Sequence, residues 1–214
     1  MGSEVPKQYQ PIAGVPMVLR AVRPFMAHPD VARIALVLPP DDAATPPDFL
    51  VELIGERLLV AAGGAERGAS VAAGLAALGD DCAIVLVHDG ARPLVGRPVI
   101  DAVIGCARGG EGAIAALPVS DTLKAADATK PEYVARTLPR DRLWRAQTPQ
   151  GFPRAVLAEA LARAKRDGRV STDDAALVEA LGVSVRLIPD SPRNLKVTTP
   201  DDLALAECLV EGGA

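Results

Sequence analysis

The run Ala83-Ile84-Val85-Leu86-Val87 is apolar at every position and stops abruptly at His88-Asp89-Gly90-Ala91-Arg92-Pro93. A short apolar run without polar alternation reads as a strand buried on both faces, as in a parallel sheet. Polar groups massed at the C-terminal end of such a strand lie where open α/β sheets bind ligands. A carboxylate there, with an arginine three residues on, suits a divalent metal and a phosphate. The alternative is a strand that simply ends in a polar turn.

The rest of the chain repeats this theme. Ile34-Ala35-Leu36-Val37-Leu38 reads as a strand closed by Pro39-Pro40-Asp41-Asp42, and Leu58-Leu59-Val60 as a short one ending in Gly63-Gly64. Gly112 to Leu117 and Val183 to Ile188 read as two more. Helical patterns fall between them, near 70–78 and 97–107. Alternating strands and helices predict an α/β fold: a Rossmann-like, mostly parallel sheet with helices on both faces. The expected organisation is a single domain over 1–214.

One stretch departs from the alternation. Residues 119–144 lack a helix-length apolar stripe, and Thr122-Leu123-Lys124 and Tyr133-Val134-Ala135-Arg136-Thr137-Leu138 flank Asp127-Ala128-Thr129-Lys130-Pro131. This predicts an antiparallel β-hairpin arm inserted in the α/β body. A lone hairpin is marginal in water, so a second copy of the chain is the expected surface for it.

Composition excludes several classes. The 214 residues are 49% hydrophobic but only 3% aromatic, so the core must come from Ala, Val, Leu and Ile. A formal net charge of −4 gives no electrostatic footprint for nucleic acid. Cys82, Cys106 and Cys208 are scattered and odd in number, which predicts a reduced, cytoplasmic protein. No apolar run reaches membrane-spanning length, and Met1-Gly2-Ser3-Glu4-Val5-Pro6 has no signal-peptide character.

Further candidate residues sit at element ends. Gly63-Gly64-Ala65-Glu66-Arg67-Gly68-Ala69-Ser70 runs from a strand into a helix, where glycines admit a ligand and the helix start offers free N–H donors. It is neither a Walker loop nor a G-x-G-x-x-G fingerprint. Thr199-Pro200-Asp201-Asp202 and Ser171-Thr172-Asp173-Asp174 both resemble capped helix starts, so on these residues alone Thr172 reads as a cap. His88 reads as a structural hydrogen-bonding histidine or a catalytic one.

PKQY at 6–9, GGAERGAS at 63–70, VHDGARP at 87–93, SDTLK at 120–124, LWRAQTPQGF at 143–152, STDDA at 171–175 and NLKVT at 194–198 follow one another in a characteristic order. In this the chain resembles the 2-C-methyl-D-erythritol 4-phosphate cytidylyltransferases of the non-mevalonate isoprenoid pathway. The resemblance implies attack of the acceptor phosphate on the α-phosphorus of CTP, with release of pyrophosphate. It implies Lys7, Arg140 and Lys196 as the cations of catalysis. Gly64 and Ser70 would hold the cytosine, and Asp89 would place Mg²⁺ against the triphosphate. Arg92, Thr122, Thr148 and Thr172 would contact methylerythritol phosphate. A homodimer built through the arm would carry Thr122 and Arg140 toward the partner's site. A pentitol phosphate such as ribitol 5-phosphate is the alternative acceptor.

Two departures from the family pattern stand out. Ala65 replaces an aspartate common after the second glycine. More importantly, the family opens with an apolar strand and a loop of the form A-A-G-x-G-x-R before the PKQY segment, and Met1 is already the methionine that follows them. The expectation is an N-terminally incomplete chain that lacks a central strand of the sheet. About six apolar side chains at roughly 2 kcal/mol each are then missing, on the order of 12 kcal/mol. A catalytically impaired, dimeric nucleotide-binding protein is the reading of another class that this opens.

Overall fold

The computed structural model describes residues 6–213. Met1 to Val5, including the N-terminal segment read above, lie outside the described residues. After a 3-10 turn at Lys7–Tyr9, the chain forms β1 (Pro11–Ile12), β2 (Val15–Pro16), α1 (Met17–Met26) and β3 (Ile34–Leu38). Next come α2 (Pro40–Ala44), α3 (Asp48–Val51), β4 (Leu58–Ala62), α4 (Arg67–Ala77), β5 (Ile84–Val87) and α5 (Arg97–Arg108). Then follow β6 (Gly112–Pro118), β7 (Leu123–Ala126), β8 (Val134–Leu138), β9 (Trp144–Pro153) and α6 (Arg154–Arg166). The chain closes with α7 (Ala175–Glu179), β10 (Val185–Pro189) and α8 (Pro200–Glu211).

The α/β expectation holds, but the sheets are mixed rather than mostly parallel. The larger has the order β10-β6-β9-β5. β10 and β6 are parallel, whereas β9 runs antiparallel to both β6 and β5. The sequence hides β9 because Gln147-Thr148-Pro149-Gln150-Gly151 has little β-branched character and no alternation. Its register against β6 shifts at this point: Ile114 faces Gln150 but Ala116 faces Ala146, so one residue opposes three. A bulge of this kind bends the strand and re-aims its side chains. The Thr148–Pro149 peptide within it is cis.

Burial on both faces, inferred from the apolar runs, is visible residue by residue. Ala113 and Ala115 of β6 pack with Val99, Ile100, Val103 and Ile104 of α5. Ile114 between them packs on the other face with Leu157 and Leu161 of α6 and Val178 of α7. Gly151 of β9 is needed for the first layer, because a Cβ there would lie 2.4 Å from Val103 Cγ1. α8 starts as the sequence predicts, with a reciprocal capping box between Thr199 and Asp202.

β3 and β4 form a separate parallel pair. Its strand ends align with those of β5, since Arg33, just before β3, pairs with Asp81 at 3.4 Å, just before β5. Between β3 and β5 lies a cavity of about 890 Å³, walled by Leu36, Val37, Val85 and Leu86 together with Val18 and Phe25 of α1. Among the described residues no strand occupies that gap. The strands here thus fall into the four-stranded sheet and the separate β3-β4 pair. β7 and β8 form the predicted hairpin as a sheet of their own, and Tyr133 and Val134 on it are exposed.

Candidate active site

The turn after β5 is held by three neighbours. The Asp89 N–H donates to Thr148 Oγ1 at 3.0 Å, and that hydroxyl also meets His88 Nδ1 at 2.9 Å. The Arg92 N–H donates back to Asp89 O at 2.9 Å, and His88 Nε2 lies 3.1 Å from Arg92 O. The Val197 N–H donates to Ala91 O at 2.8 Å, bringing in the 194–198 segment. The bulge of β9 thus supplies the hydroxyl that fixes the Asp89 backbone.

Charge gathers on this scaffold. Lys196 Nζ lies 3.0 Å from Asp89 Oδ2, and Arg92 Nε lies 3.7 Å from the same oxygen. The second distance is an ion pair but too long for a hydrogen bond. Burial pushes the Asp89 carboxyl up, yet Lys196, Arg92 and Arg67 together hold it below its ordinary range. Asp89 is therefore ionised at neutral pH. Arg92 is buried and anchored by Nη1 donating to Asn194 O at 2.7 Å. Burial lowers its pKa from the ordinary arginine value, against the pull of Asp89.

His88 resolves toward its structural reading. Desolvation of its ring, packed 4.9 Å from Phe25, lowers its pKa to about 4. It is neutral at pH 7 and serves to hold the turn. Three polar atoms beneath Asp89 are buried without a hydrogen-bond partner: Arg92 Nε, Gln147 Oε1 and Asn194 Oδ1. Groups of this kind in a native fold point to a ligand or water that completes them.

On the opposite side, the Gly64 N–H donates to Ser70 Oγ at 3.1 Å, which folds the glycine loop onto the start of α4. A Cβ at Gly64 would lie 2.5 Å from Ala69 Cβ, so the loop requires glycine there. A half-buried arginine, Arg67, reaches from this loop to the fully buried Asp174, Nη2 to Oδ2 at 2.6 Å.

The sequence profile of the family described as IspD: 2-C-methyl-D-erythritol 4-phosphate cytidylyltransferase matches residues 1–212. The chain belongs to the IspD family. A 2-C-methyl-D-erythritol 4-phosphate cytidylyltransferase of Ralstonia nicotianae is 44% identical over 225 residues, spanning 100% of this chain and 87% of that protein. One of the same name from Cupriavidus pinatubonensis is 45% identical, spanning 99% of this chain and 89% of that protein. Among solved structures, the 2-C-methyl-D-erythritol 4-phosphate cytidylyltransferase of Thermus thermophilus superposes with a TM-score of 0.82. It is 38% identical, over 96% of this chain and 94% of that one.

Set against the IspD-family pattern, Asp89, Arg92, Thr148 and Lys196 come together in one cluster. Gly64 and Ser70 bond to each other at the start of α4. Thr148 is buried with its hydroxyl engaged by Asp89 and His88, a role in holding the site. Thr172 is exposed, and it is not the cap of α7: Asp173 Oδ1 accepts the Ala176 N–H at 3.1 Å instead. Gln150 Oε1 accepts the Asp174 and Ala175 N–H groups, both at 3.1 Å. Lys7 opens its 3-10 turn beside Gln8, which lines the central cavity along with His88 and Gly90. Thr122 and Arg140 are exposed at the root of the arm, where the Arg140 guanidinium donates to Ser120 O. The residues missed from sequence are Arg67, Asp174, Gln147, Gln150 and Asn194. Asn194 and Gln147 are buried polar side chains that each stand next to another polar residue, so nothing in their sequence neighbourhood marks them.

Proposed function

We propose that this chain transfers CMP from CTP to 2-C-methyl-D-erythritol 4-phosphate, giving 4-diphosphocytidyl-2-C-methyl-D-erythritol and pyrophosphate. The observation that carries the reading is Asp89, ionised at the C-terminal end of β5 with Lys196 and Arg92 on the same oxygen. Two polyanions must be brought together here. Two cations on one Asp89 oxygen leave positive charge over at that point, which would offset their repulsion and favour charge developing on the α-phosphorus. Lys7 and Arg140 would add to that field, with Arg140 and Thr122 delivered through a homodimer built on the arm. The exposed Tyr133 and Val134 support such a contact.

Mg²⁺ fits the donor set. Among the described residues no group of three or more His, Cys, Asp or Glu forms a metal cage. A hard cation that takes one or two carboxylates and fills its shell with phosphate oxygens suits Asp89 alone. When bound, Mg²⁺ would neutralise triphosphate charge. Gly64 and Ser70 would hold the cytosine, while Arg92, Thr148 and Thr172 would lie toward the acceptor. The whole chain would act as one nucleotidyltransferase domain. No helix among the described residues is long and apolar enough to cross a membrane, and all three cysteines are free. Both support a cytoplasmic setting.

The test is pyrophosphate release from CTP with methylerythritol phosphate and, separately, ribitol 5-phosphate. Faster turnover with methylerythritol phosphate is expected. A preference for ribitol 5-phosphate would reassign the acceptor, and release with neither would leave a nucleotide-binding protein.

A further inference from the structure

We propose that Arg67 is a positioning residue whose ion pair with Asp174 couples the nucleotide loop to the acceptor loop, an inference that rests on the function proposed above. Arg67 opens α4 directly after the loop of Gly64, and Ser70 follows in the first turn of the helix. Asp174 ends the 171–174 loop that presents Thr172 and opens α7. α4 packs on β3, β4 and α6, and α7 packs on α6, β6 and β10. Leu75 of α4 shares one apolar cluster with Leu157 and Leu161 of α6 and Leu177 and Val178 of α7, so the helix bodies are anchored by packing that does not use the bridge. It ties together their loop ends, where the two substrates would meet.

The geometry gives this pair little freedom. Asp174 is completely buried, and its other carboxylate oxygen, Oδ1, is buried without a partner. On the far side Gln150 grips the same loop, with Oε1 on two of its N–H groups and Nε2 donating to Asp173 Oδ2 at 3.3 Å. The 171–174 loop is therefore clamped between β9 and Arg67. A shift of the glycine loop that moved Arg67 would leave a bare carboxylate in the interior, which is costly. Conversely, ordering the glycine loop around a nucleotide fixes Arg67 and hence the acceptor loop. Burial pushes the Asp174 carboxyl up against the pull of Arg67, and the field of Asp89 acts on both partners, raising each. A buried ion pair is weak grounds for stability but a known device for fixing register.

The experiment compares the wild type with Arg67→Met, Arg67→Lys and the double variant Arg67→Met/Asp174→Asn. Calorimetry with Mg²⁺ present measures binding of the non-hydrolysable α,β-methylene analogue of CTP, with and without saturating methylerythritol phosphate. In the wild type the acceptor should tighten the analogue by about fivefold or more, within the usual range of coupling between sites. Arg67→Met should abolish that tightening and raise KM for both substrates by about tenfold while kcat changes far less. Arg67→Lys, which keeps the charge, should recover part of the coupling even if the Met variant folds poorly. Loss of Arg67 also strands Asp174, so the loss of stability should shrink as pH falls and the buried carboxyl takes up a proton, while the coupling stays lost. The double variant, which removes that stranded charge, should regain stability but not the coupling. The inference is overturned by a lowered Tm with both KM values and the coupling unchanged, or by a defect confined to one substrate. Absence of binding of either substrate by the wild type would instead sink the functional reading itself, and this inference with it.

Discussion

The wall of the cleft formed by β9 and the 194–198 segment is joined to β5 by hydrogen bonds at every level. The wall formed by β3 and β4 faces β5 only across an apolar cavity of about 890 Å³. On the first side, Asn194, Gln147, Thr148 and Arg92 interlock through bonds of 2.7–2.9 Å. On the second, the facing edges of β3 and β5 carry no ladder partner among the described residues. The difference teaches that the two halves are organised by different forces. The side around Asp89 and Arg92 is set by polar satisfaction within the chain, whereas the join between the halves depends on apolar filling.

The most severe way to break this comparison is to fill the gap. One strand occupies about 160 Å³ per residue, from a rise near 3.3 Å, a spacing near 4.8 Å and a depth near 10 Å, so the cavity holds about five or six residues. Fusing a Val/Ile/Ala-rich strand of that length upstream through a flexible linker should raise stability by on the order of 5 kcal/mol, or Tm by about 10–20 °C. Amide exchange at Ala35, Val37 and Leu86 should slow with it. Unchanged Tm and exchange would mean that the two walls already support each other. Next in size is Asp89→Asn, which takes from the polar side the charge proposed to hold Mg²⁺. It should cut turnover by on the order of 10²- to 10³-fold with little change in Tm, read as pyrophosphate release over a Mg²⁺ titration. Full activity at limiting Mg²⁺ would detach Asp89 from the chemistry.

The same contrast explains what the sequence makes legible. Strands β3, β5 and β6 are visible in it because unbroken apolar runs have no other stable home than a sheet covered on both faces. The arm and the Thr199 capping box are visible because turn and cap chemistry is local. β9 is not, since its geometry comes from its neighbours: Gly151 is shaped by Val103, and Gln147, Thr148 and Gln150 by loops 20 or more residues away. The cations are legible as residue types, but the meeting of Arg67 with Asp174, 107 positions apart, follows only from tertiary packing. Thr172 does not serve as a cap because Asp173 and Gln150 satisfy those N–H groups first.

A smaller effect sharpens the account of the polar side through pH. His88 is held at about 4, whereas an unfolded histidine titrates near 6.5. Between those values the unfolded chain binds the extra proton, so His88 stabilises the fold above about pH 6.5 and loses that contribution as pH falls toward 4. A shift of this size corresponds to about 3 kcal/mol at most. Thermal melts of the wild type and His88→Asn across that window should therefore diverge, with the wild type falling more steeply on acidification. Parallel curves would show that the ring titrates normally and that desolvation at the turn is slight.

The smallest change aims at the keystone of the same side. Asn194 Nδ2 donates to Thr148 O at 2.8 Å and to Asp190 Oδ2 at 2.6 Å, linking the segment that carries Lys196 to the strand that holds Asp89. Its backbone carbonyl, which receives Arg92 and Gln147, survives substitution by alanine. Asn194→Ala thus removes only the side-chain link and leaves a buried carbonyl unsatisfied, at a cost of about 2 kcal/mol. Tm should fall by about 4–8 °C. Because Lys196 is two residues on, KM for methylerythritol phosphate should rise while KM for CTP stays near its wild-type value. If both KM values moved together, Asn194 would be bracing the whole cleft and the division between its two walls would be less sharp than the hydrogen bonding implies.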